Sequence, residues 1–450
     1  MESTAIGYWG IATVVVLLII RVPIAVVLGC VSAAGIFLIY AWRPGMPLET
    51  EFALPSTFSL LATTPFEFIN SYALSTVPLF IFIGHLAFQA GFTGDIYQAA
   101  RLWLARVPGG LAIASVVGCG DFSAISGSSV ACAATMGRIA VPEMLQYGYA
   151  KRLAAGSVAI GGTLGSLIPP SILFILFGVF AEQSIARLFV AAVIPGLLSL
   201  VGYIVVIAIW TRIAPHHAPS PDQTAAARER MLALRAAAGR CWSVLVLFVV
   251  MIGGIYLGFF TPTEAAGVGA GATLFLGLAS RRLDAAKILE AIQESVVQTA
   301  MLFAIAISGK LFVVFIALSD IPSDVLALIT QGEPSVFLVM GLIVALYLFL
   351  GMVLDPLGII LLTLPLTVPI VEAYGLSLIW FGVIVVKLLE VGLVTPPIGL
   401  NVFIIKAVVG DRIPLETIFR GIAWFLLADA VVVALLLAFP QLSLFLPSLM

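Results

Sequence analysis

The residues best suited to chemistry in this sequence sit where an apolar chain should have no use for them. The stretch GTLGSLIPPS, residues 162–171, sets Gly162, Thr163, Gly165 and two consecutive prolines inside an apolar run. LLEVGLVTPPIGLNVF, residues 388–403, does the same with Thr395, Pro396, Pro397 and Asn401. Proline has no N–H, and its ring clashes with a continuing helix, so each pair releases backbone carbonyls. Inside lipid those carbonyls must be met by something polar. Oxygen-rich, flexible surroundings suit a hard monovalent cation better than a transition metal, so a coordination site at each break is one reading. A plain kink is the alternative, and it would have to occur twice at matched positions.

Two further stretches interrupt apolar runs. GCGDFSAISGSSVACAATMG, residues 118–137, clusters Ser126, Gly127, Ser128 and Ser129 at its middle, between arms too short to cross a membrane alone. Small residues also serve tight helix packing, but four in a row between half-length arms favour a hairpin tip. A helix N-terminus there would present N–H groups to an anionic substrate, and carbonyls at the unwound ends could hold a cation. GMVLDPLGIILLTLPLTVP, residues 351–369, carries Asp355-Pro356 and then Gly358. A carboxylate in such a setting is expensive and points to function; it can also simply cap the returning half-helix, with proline in the first position. The two roles are compatible. Near the second proline pair, Lys387 and Glu390 are three residues apart, which puts them near one face of a helix and predicts that they neutralise each other.

The elements that must position these residues are membrane spans. The chain has 450 residues, 62% hydrophobic and 10% charged, where a soluble domain is about a quarter charged. Apolar stretches near the roughly 20 residues needed to span a bilayer recur at 22–42, 73–90, 188–211, 242–260, 335–354 and 418–439. Continuous runs of this kind exclude an outer-membrane barrel, whose strands alternate. A formal charge of −2 without a basic patch offers nothing to nucleic acid. The four cysteines (Cys30, Cys119, Cys132, Cys241) are widely separated, which predicts packing roles and no disulfide. The histidines form no metal constellation; His216 and His217 fall in a polar loop and His85 reads as a satisfied residue of the bundle. Glu2, in place of a basic start, argues against a cleaved signal peptide.

The chain divides in two. The polar stretch 211–240 holds five arginines against two acids, which places it in the cytoplasm; residues 223–240 within it read as a short surface helix. VPEMLQYG (141–148) matches VPIVEAYG (368–375), and GSLIPPS (165–171) matches GLVTPPI (392–398), with 368 − 141 = 396 − 169 = 227. Two gap-free matches at one offset indicate an internal repeat. Charge indicates that the repeat is inverted. Arg21, Arg101, Arg106, Arg138, Lys151 and Arg152 mark one side of the first half, while in the second half residues 311–386 contain no Lys or Arg, and Asp320, Asp324, Glu333 and Glu372 appear there. The fold expected is therefore an all-α polytopic membrane protein built from two inverted-topology repeats, the architecture of many secondary transporters. Residues 1–210 form the first repeat, with a re-entrant hairpin at 109–141 and a broken transmembrane helix at 150–181. A cytoplasmic linker follows at 211–241. Residues 242–450 form the second repeat, with a hairpin at 335–371 and a broken helix at 376–409.

In combination, DFSAISGSSVACAATMG, GTLGSLIPPSI, GFFTPTEAAG, GMVLDPLGIILLTLPLTVPI and TPPIGLNVFI resemble the large membrane subunit of the tripartite ATP-independent periplasmic (TRAP) transporters, over nearly the whole chain and in order. The resemblance implies an elevator-type, sodium-coupled importer of an organic acid, a C4-dicarboxylate, sialic acid or related carboxylate, in the bacterial inner membrane. It implies two partners: a separate four-span small membrane subunit, since this chain lacks the extra N-terminal spans of fused versions, and a periplasmic substrate-binding protein. It implies one Na⁺ site at Ser126, Ser128 and Ser129 with Gly162, Thr163 and Gly165, and a second at Asp355 and Gly358 with Thr395, Pro396 and Pro397. Substrate would lie between the tips, near Ser126, Gly127, Ser128, Asp355, Gly358 and Asn401. Two residues depart from the family pattern: Cys132 stands where a small hydroxyl residue is more usual, and Asp121 is unexpectedly charged. Three other functions compete. An ABC permease would use EAAGVGAG (264–271) as a cytoplasmic docking loop, but the charges put Glu264 outside. A membrane enzyme would need a nucleophile–base or metal set such as H-E-x-x-H, which is not present. A stand-alone sodium/dicarboxylate symporter would differ in needing no binding protein.

Overall fold

The computed structural model describes residues 2–42, 49–104, 107–219, 242, 245–332 and 334–450. The surface helix expected over 223–240 lies outside the described residues, as does the side chain of Ser126. Among the described residues there is no strand, and the chain is an all-α polytopic membrane protein. Among the described residues six helices are long and apolar enough to cross a bilayer, or seven if the bent pair Lys151–Leu167 and Ile172–Phe180 is one span.

The N-terminal helices are α1 (Ser3–Ile19), α2 (Ile24–Ala41), α3 (Thr50–Ile69), α4 (Thr76–Gln89) and α5 (Phe92–Leu104). Two helices joined by a tight turn follow, α6 (Gly110–Ser126) and α7 (Ser129–Gln146). The next run is interrupted at its middle: α8 (Lys151–Gly162), the single turn α9 (Leu164–Leu167), then α10 (Ile172–Phe180), bent by 41° across the break. The long α11 (Ile185–Ile213) leads to the polar stretch. Beyond it come α12 (Leu245–Tyr256), α13 (Pro262–Ala279), α14 (Ala285–Leu318) and α15 (Ile321–Gln331). A second pair, α16 (Val336–Gly351) and α17 (Pro356–Ala373), precedes a second interrupted run, α18 (Leu378–Gly392) and α19 (Leu400–Val409), and the chain closes with α20 (Leu415–Ala438).

Helix starts in an apolar setting need their N–H groups satisfied locally, and at several of them the sequence supplies a side chain. Ser128, Ser171, Ser184, Asp284, Asp355 and Ser377 each accept a hydrogen bond from the backbone three residues on. Thr261 and Glu264 form a reciprocal capping box at α13. Mid-helix hydroxyls turn back onto their own helices: Ser32, Thr273 and Thr363 bond the carbonyl four residues before. Large apolar side chains remain exposed on the outside, Phe275, Ile213 and Phe337 among them, as lipid contact requires.

Two expectations need correction. The run 335–354 is not a full span; its helix α16 stops after 16 residues at Gly351, because Asp355-Pro356 forces a new start. The longest helix, α14, has 34 residues and was not among the spans read from the sequence. Lys287, Glu290 and Glu294 fall near its start, and the rest holds an 18-residue window of mean hydropathy 2.4. It packs along α2, α3, α4 and α17, while α7 and α8 pack together and against α19 and α20.

Candidate functional site

The turn between α6 and α7 is seated on the first broken run. Gly127 has φ +59°, and a Cβ there would lie 2.9 Å from the carbonyl oxygen of Pro170; only glycine combines that backbone with that approach. Ser128 caps α7, its Oγ accepting from the Ala131 N–H at 3.4 Å. Gly165 holds the broken run against the tip: a Cβ on it would stand 2.6 Å from both Cα and N of Ser129. Both proline pairs, Pro169-Pro170 and Pro396-Pro397, are joined by cis bonds.

This close approach assembles a buried polar constellation from four helices. Ser129 Oγ donates to Glu390 Oε2 at 2.6 Å and lies 3.0 Å from Ser166 Oγ. With its one proton given to Glu390, Ser129 accepts from Ser166. Asn401 of α19 is fully buried, with its Nδ2 3.3 Å from the Cβ position of Gly162. Three of these buried polar atoms have no hydrogen-bond partner: Glu390 Oε1, Asn401 Oδ1 and Asn401 Nδ2. An orphaned buried oxygen costs on the order of 1–3 kcal/mol, so carboxylate and amide oxygens without partners beside a helix break fit a monovalent cation. Thr163 faces elsewhere. Its hydroxyl donates to the Ile160 carbonyl at 2.6 Å and lies 3.1 Å from Tyr203 Oη.

Tyr203 belongs to a second network that corrects an expectation. Lys387 does not neutralise Glu390. Its Nζ lies 2.6 Å from Asp429 Oδ1 on α20, with Ser199 Oγ at 3.0 Å, and Tyr203 Oη donates to the same Asp429 oxygen at 2.6 Å. Helical spacing brings Lys387 and Glu390 to adjoining sectors of α18, but α20 offers Lys387 a carboxylate at salt-bridge distance, while Ser129 takes Glu390.

The second constellation is built differently. Asp355 Oδ2 accepts from the Gly358 N–H at 3.1 Å and caps α17. Gly358 packs on Ile24 of α2. Gly392, the counterpart of Gly165 at the 227-residue offset, approaches backbone too: a Cβ on it would lie 2.6 Å from Gly351 Cα. Thr395 Oγ1 donates to the Val391 carbonyl at 2.6 Å. Pro396 and Pro397 are exposed where Pro169 and Pro170 are buried. Asn401 follows the second proline pair in sequence but sits in the first constellation. The two hairpin caps, Ser128 and Asp355, are also 355 − 128 = 227 residues apart.

A family model described as the DctM component of the tripartite ATP-independent periplasmic transporters matches residues 11–442. The chain belongs to this family. It is 34% identical over 395 residues to the C4-dicarboxylate TRAP transporter large permease of Pseudomonas aeruginosa, covering 88% of this chain and 90% of that one. It is 32% identical to the sialic acid TRAP transporter large permease of Vibrio cholerae, over 85% and 87% of the two chains. Among solved structures, the Alcanivorax borkumensis YdaH transporter superposes with a TM-score of 0.59 at 14% identity, covering 98% of this chain and all 100% of that one. Neisseria gonorrhoeae MtrF gives 0.57 at 12% identity, over 94% of each. These two share the fold. The TRAP permease is thus a transporter component and not an enzyme, and an integral protein of the bacterial inner membrane.

Sequence reading passed over Ser166, Tyr203 and Asp429, and assigned Glu390 to the wrong partner. A signal for Asp429 was available. It is the one charge between Arg420 and the C-terminus, and Lys387 is the one basic residue between Lys310 and Lys406. Two lone intramembrane charges of opposite sign are each other's natural partners.

Proposed function

We propose that this TRAP permease couples the import of an organic acid anion to sodium, in an elevator-type cycle of two inverted repeats, with substrate held between the two hairpin tips. The observation that carries the reading is the buried constellation at the first tip: Ser129, Ser166 and Glu390 bonded to one another, with Glu390 Oε1 and Asn401 Oδ1 lacking partners. Gly162 and Gly165 let the broken helix approach the tip closely enough for released carbonyls to join these oxygens around Na⁺. A second Na⁺ site, formed by Asp355, Gly358, Thr395, Pro396 and Pro397, rests on the repeat alone, since the polar side chains there are already engaged by backbone. Half-helix N-termini at Ser128 and Asp355 supply partial positive charge suited to a carboxylate. Relatives named for C4-dicarboxylates and sialic acid support that substrate class. In this reading a small four-span subunit and a periplasmic binding protein complete the transporter.

The test is uptake into proteoliposomes containing the permease, its small subunit and the loaded binding protein. An inward sodium gradient should drive uptake without ATP. Uptake sustained by a proton gradient in sodium-free buffer refutes the coupling; uptake without the binding protein refutes the tripartite assembly.

A further inference from the structure

A groove of about 570 Å³ runs between α11 and α20. Exposed Val201, Val205 and Ile209 form one wall, and exposed Leu427 and Val431 the other. Gly202 leaves the floor open, since a Cβ on it would meet only Ala428 Cβ, at 3.7 Å. At roughly 1.5 Å per residue, the α20 wall from Trp424 to Leu435 is about 16 Å long and the α11 wall from Leu198 to Ile213 about 22 Å. The hydrocarbon core of a bilayer is about 30 Å thick, so the groove matches a single leaflet and is too short to seat a spanning helix along its length.

One end of the groove is polar and basic. Trp210, Trp424 and His217 line it, with the two tryptophan rings 6.5 Å apart; amphipathic rings of this kind favour the level of lipid headgroups. His217 Nδ1 accepts from the Trp210 indole at 2.8 Å, so the proton of the neutral ring is on Nε2. Neither that N–H nor the indole N–H of Trp424 has an acceptor among the described residues. Arg212 lies in the last turn of α11. Arg152 lies in the first turn of α8, where a Cβ on Gly421, one turn before Trp424, would stand 2.2 Å from its carbonyl oxygen. The charge of Arg152 reaches His217. Both arginines are exposed and make no ion pair among the described residues, whereas Arg420 has Glu416 at 4.0 Å.

We propose that this groove holds one acyl chain of an anionic phospholipid, with its phosphate at the His217–Trp424 end beside Arg152 and Arg212. The apolar length takes the chain, the two N–H groups take phosphate or ester oxygens, and the unpaired arginines select the charge. A zwitterionic lipid offers the same chain but brings its own cation against them. Each basic residue beside an anionic membrane surface is worth about fivefold in affinity. The site includes neither hairpin tip and does not depend on what is transported.

The test is tryptophan quenching in phosphatidylcholine bilayers containing the full-length permease with its small subunit. A rising fraction of phosphatidylglycerol or of phosphatidylcholine, brominated on the acyl chains, is introduced, and the signal is the emission that Trp424→Phe abolishes. Brominated phosphatidylglycerol should reach half-maximal quenching at a mole fraction lower by about fivefold or more. Arg152→Gln with Arg212→Gln should remove the preference, Arg152→Lys with Arg212→Lys should keep it, and Gly202→Leu, which fills the floor, should weaken quenching by the anionic lipid. Equal quenching of wild type by the two lipids overturns the site, as does a preference that survives the glutamine pair. Unchanged quenching in Gly202→Leu puts the chain outside the groove and overturns it too. If neither lipid quenches Trp424 while the small subunit is present, protein covers the groove and lipid is not its occupant.

Discussion

Gly165→Ala tests whether contact between the broken helix and the first hairpin tip builds the cation site. The new methyl would stand 2.6 Å from Cα and N of Ser129 and 2.8 Å from the carbonyl carbon of Ser128. All three are backbone atoms, so no side chain can rotate away. Reaching even a tight contact of 3.4 Å requires a shift of about 3.4 − 2.6 = 0.8 Å between α9 and the start of α7. The bonds from Ser129 to Glu390 at 2.6 Å and to Ser166 at 3.0 Å cross that interface, and a shift of this size stretches them toward or past the hydrogen-bonding limit. Overpacking of this kind costs about 1–3 kcal/mol. If the cost falls on the sodium-binding geometry, it corresponds to roughly a 5- to 150-fold rise in the sodium concentration for half-maximal effect. Gly162→Ala is milder, since its nearest neighbours are the Ala133 and Asn401 side chains at 3.0 and 3.3 Å, and Gly341→Ala meets nothing within 4 Å. Sodium titrations of uptake, or of thermal stability in detergent, should rank the three in that order, with Gly341→Ala close to wild type. A Gly165→Ala protein that folds and keeps wild-type sodium dependence refutes the assignment of this interface to the cation.

Lys387→Met should lower the yield of folded protein in detergent sharply, because a lone buried carboxylate at Asp429 costs about 3–5 kcal/mol; Lys387→Met with Asp429→Leu should recover most of it, as size-exclusion chromatography would show. Asp355→Asn keeps a good helix cap while removing the charge, so it should raise the sodium requirement of uptake with substrate affinity at saturating sodium nearly unchanged; a changed substrate range with unaltered sodium dependence would reassign the residue. Beyond the end of α11, His217 Nδ1 accepts from Trp210 Nε1 at 2.8 Å, and burial, then the charges of His216 and Arg152, hold the His217 imidazole below its ordinary value. That neutral form therefore contributes stability above the ordinary imidazole value, and the contribution is lost as pH falls through the lowered one. The fluorescence difference between wild type and Trp210→Phe should change over that acidic window, and no change there would dissociate His217 from Trp210.

Most of the membrane character and many local breaks were legible in the sequence because they are short-range consequences of residue type. An apolar run of spanning length, a proline pair, and a serine or aspartate ahead of a helix act within a few residues of themselves. Hence the tip at Gly127-Ser128, the interruption at Pro169-Pro170 and the cap at Asp355 could be read directly. What local composition leaves open is length: α14 holds an 18-residue window of mean hydropathy 2.4, yet the helix runs on through Lys287, Glu290 and Glu294 because continuity depends on backbone bonds that those side chains leave intact. Partner choice could not be read from local spacing. Lys387 and Glu390 are neighbours on α18, yet α20 supplies Asp429 to one and α7 supplies Ser129 to the other. Asn401 follows the second proline pair but is buried beside Gly162. Which helix faces which is decided by packing of whole elements, and a buried charge takes the partner that packing brings within about 3 Å. Residue type is enough to say where the backbone opens and which side chains stand there; which openings meet follows from packing, since it depends on contacts between residues hundreds of positions apart.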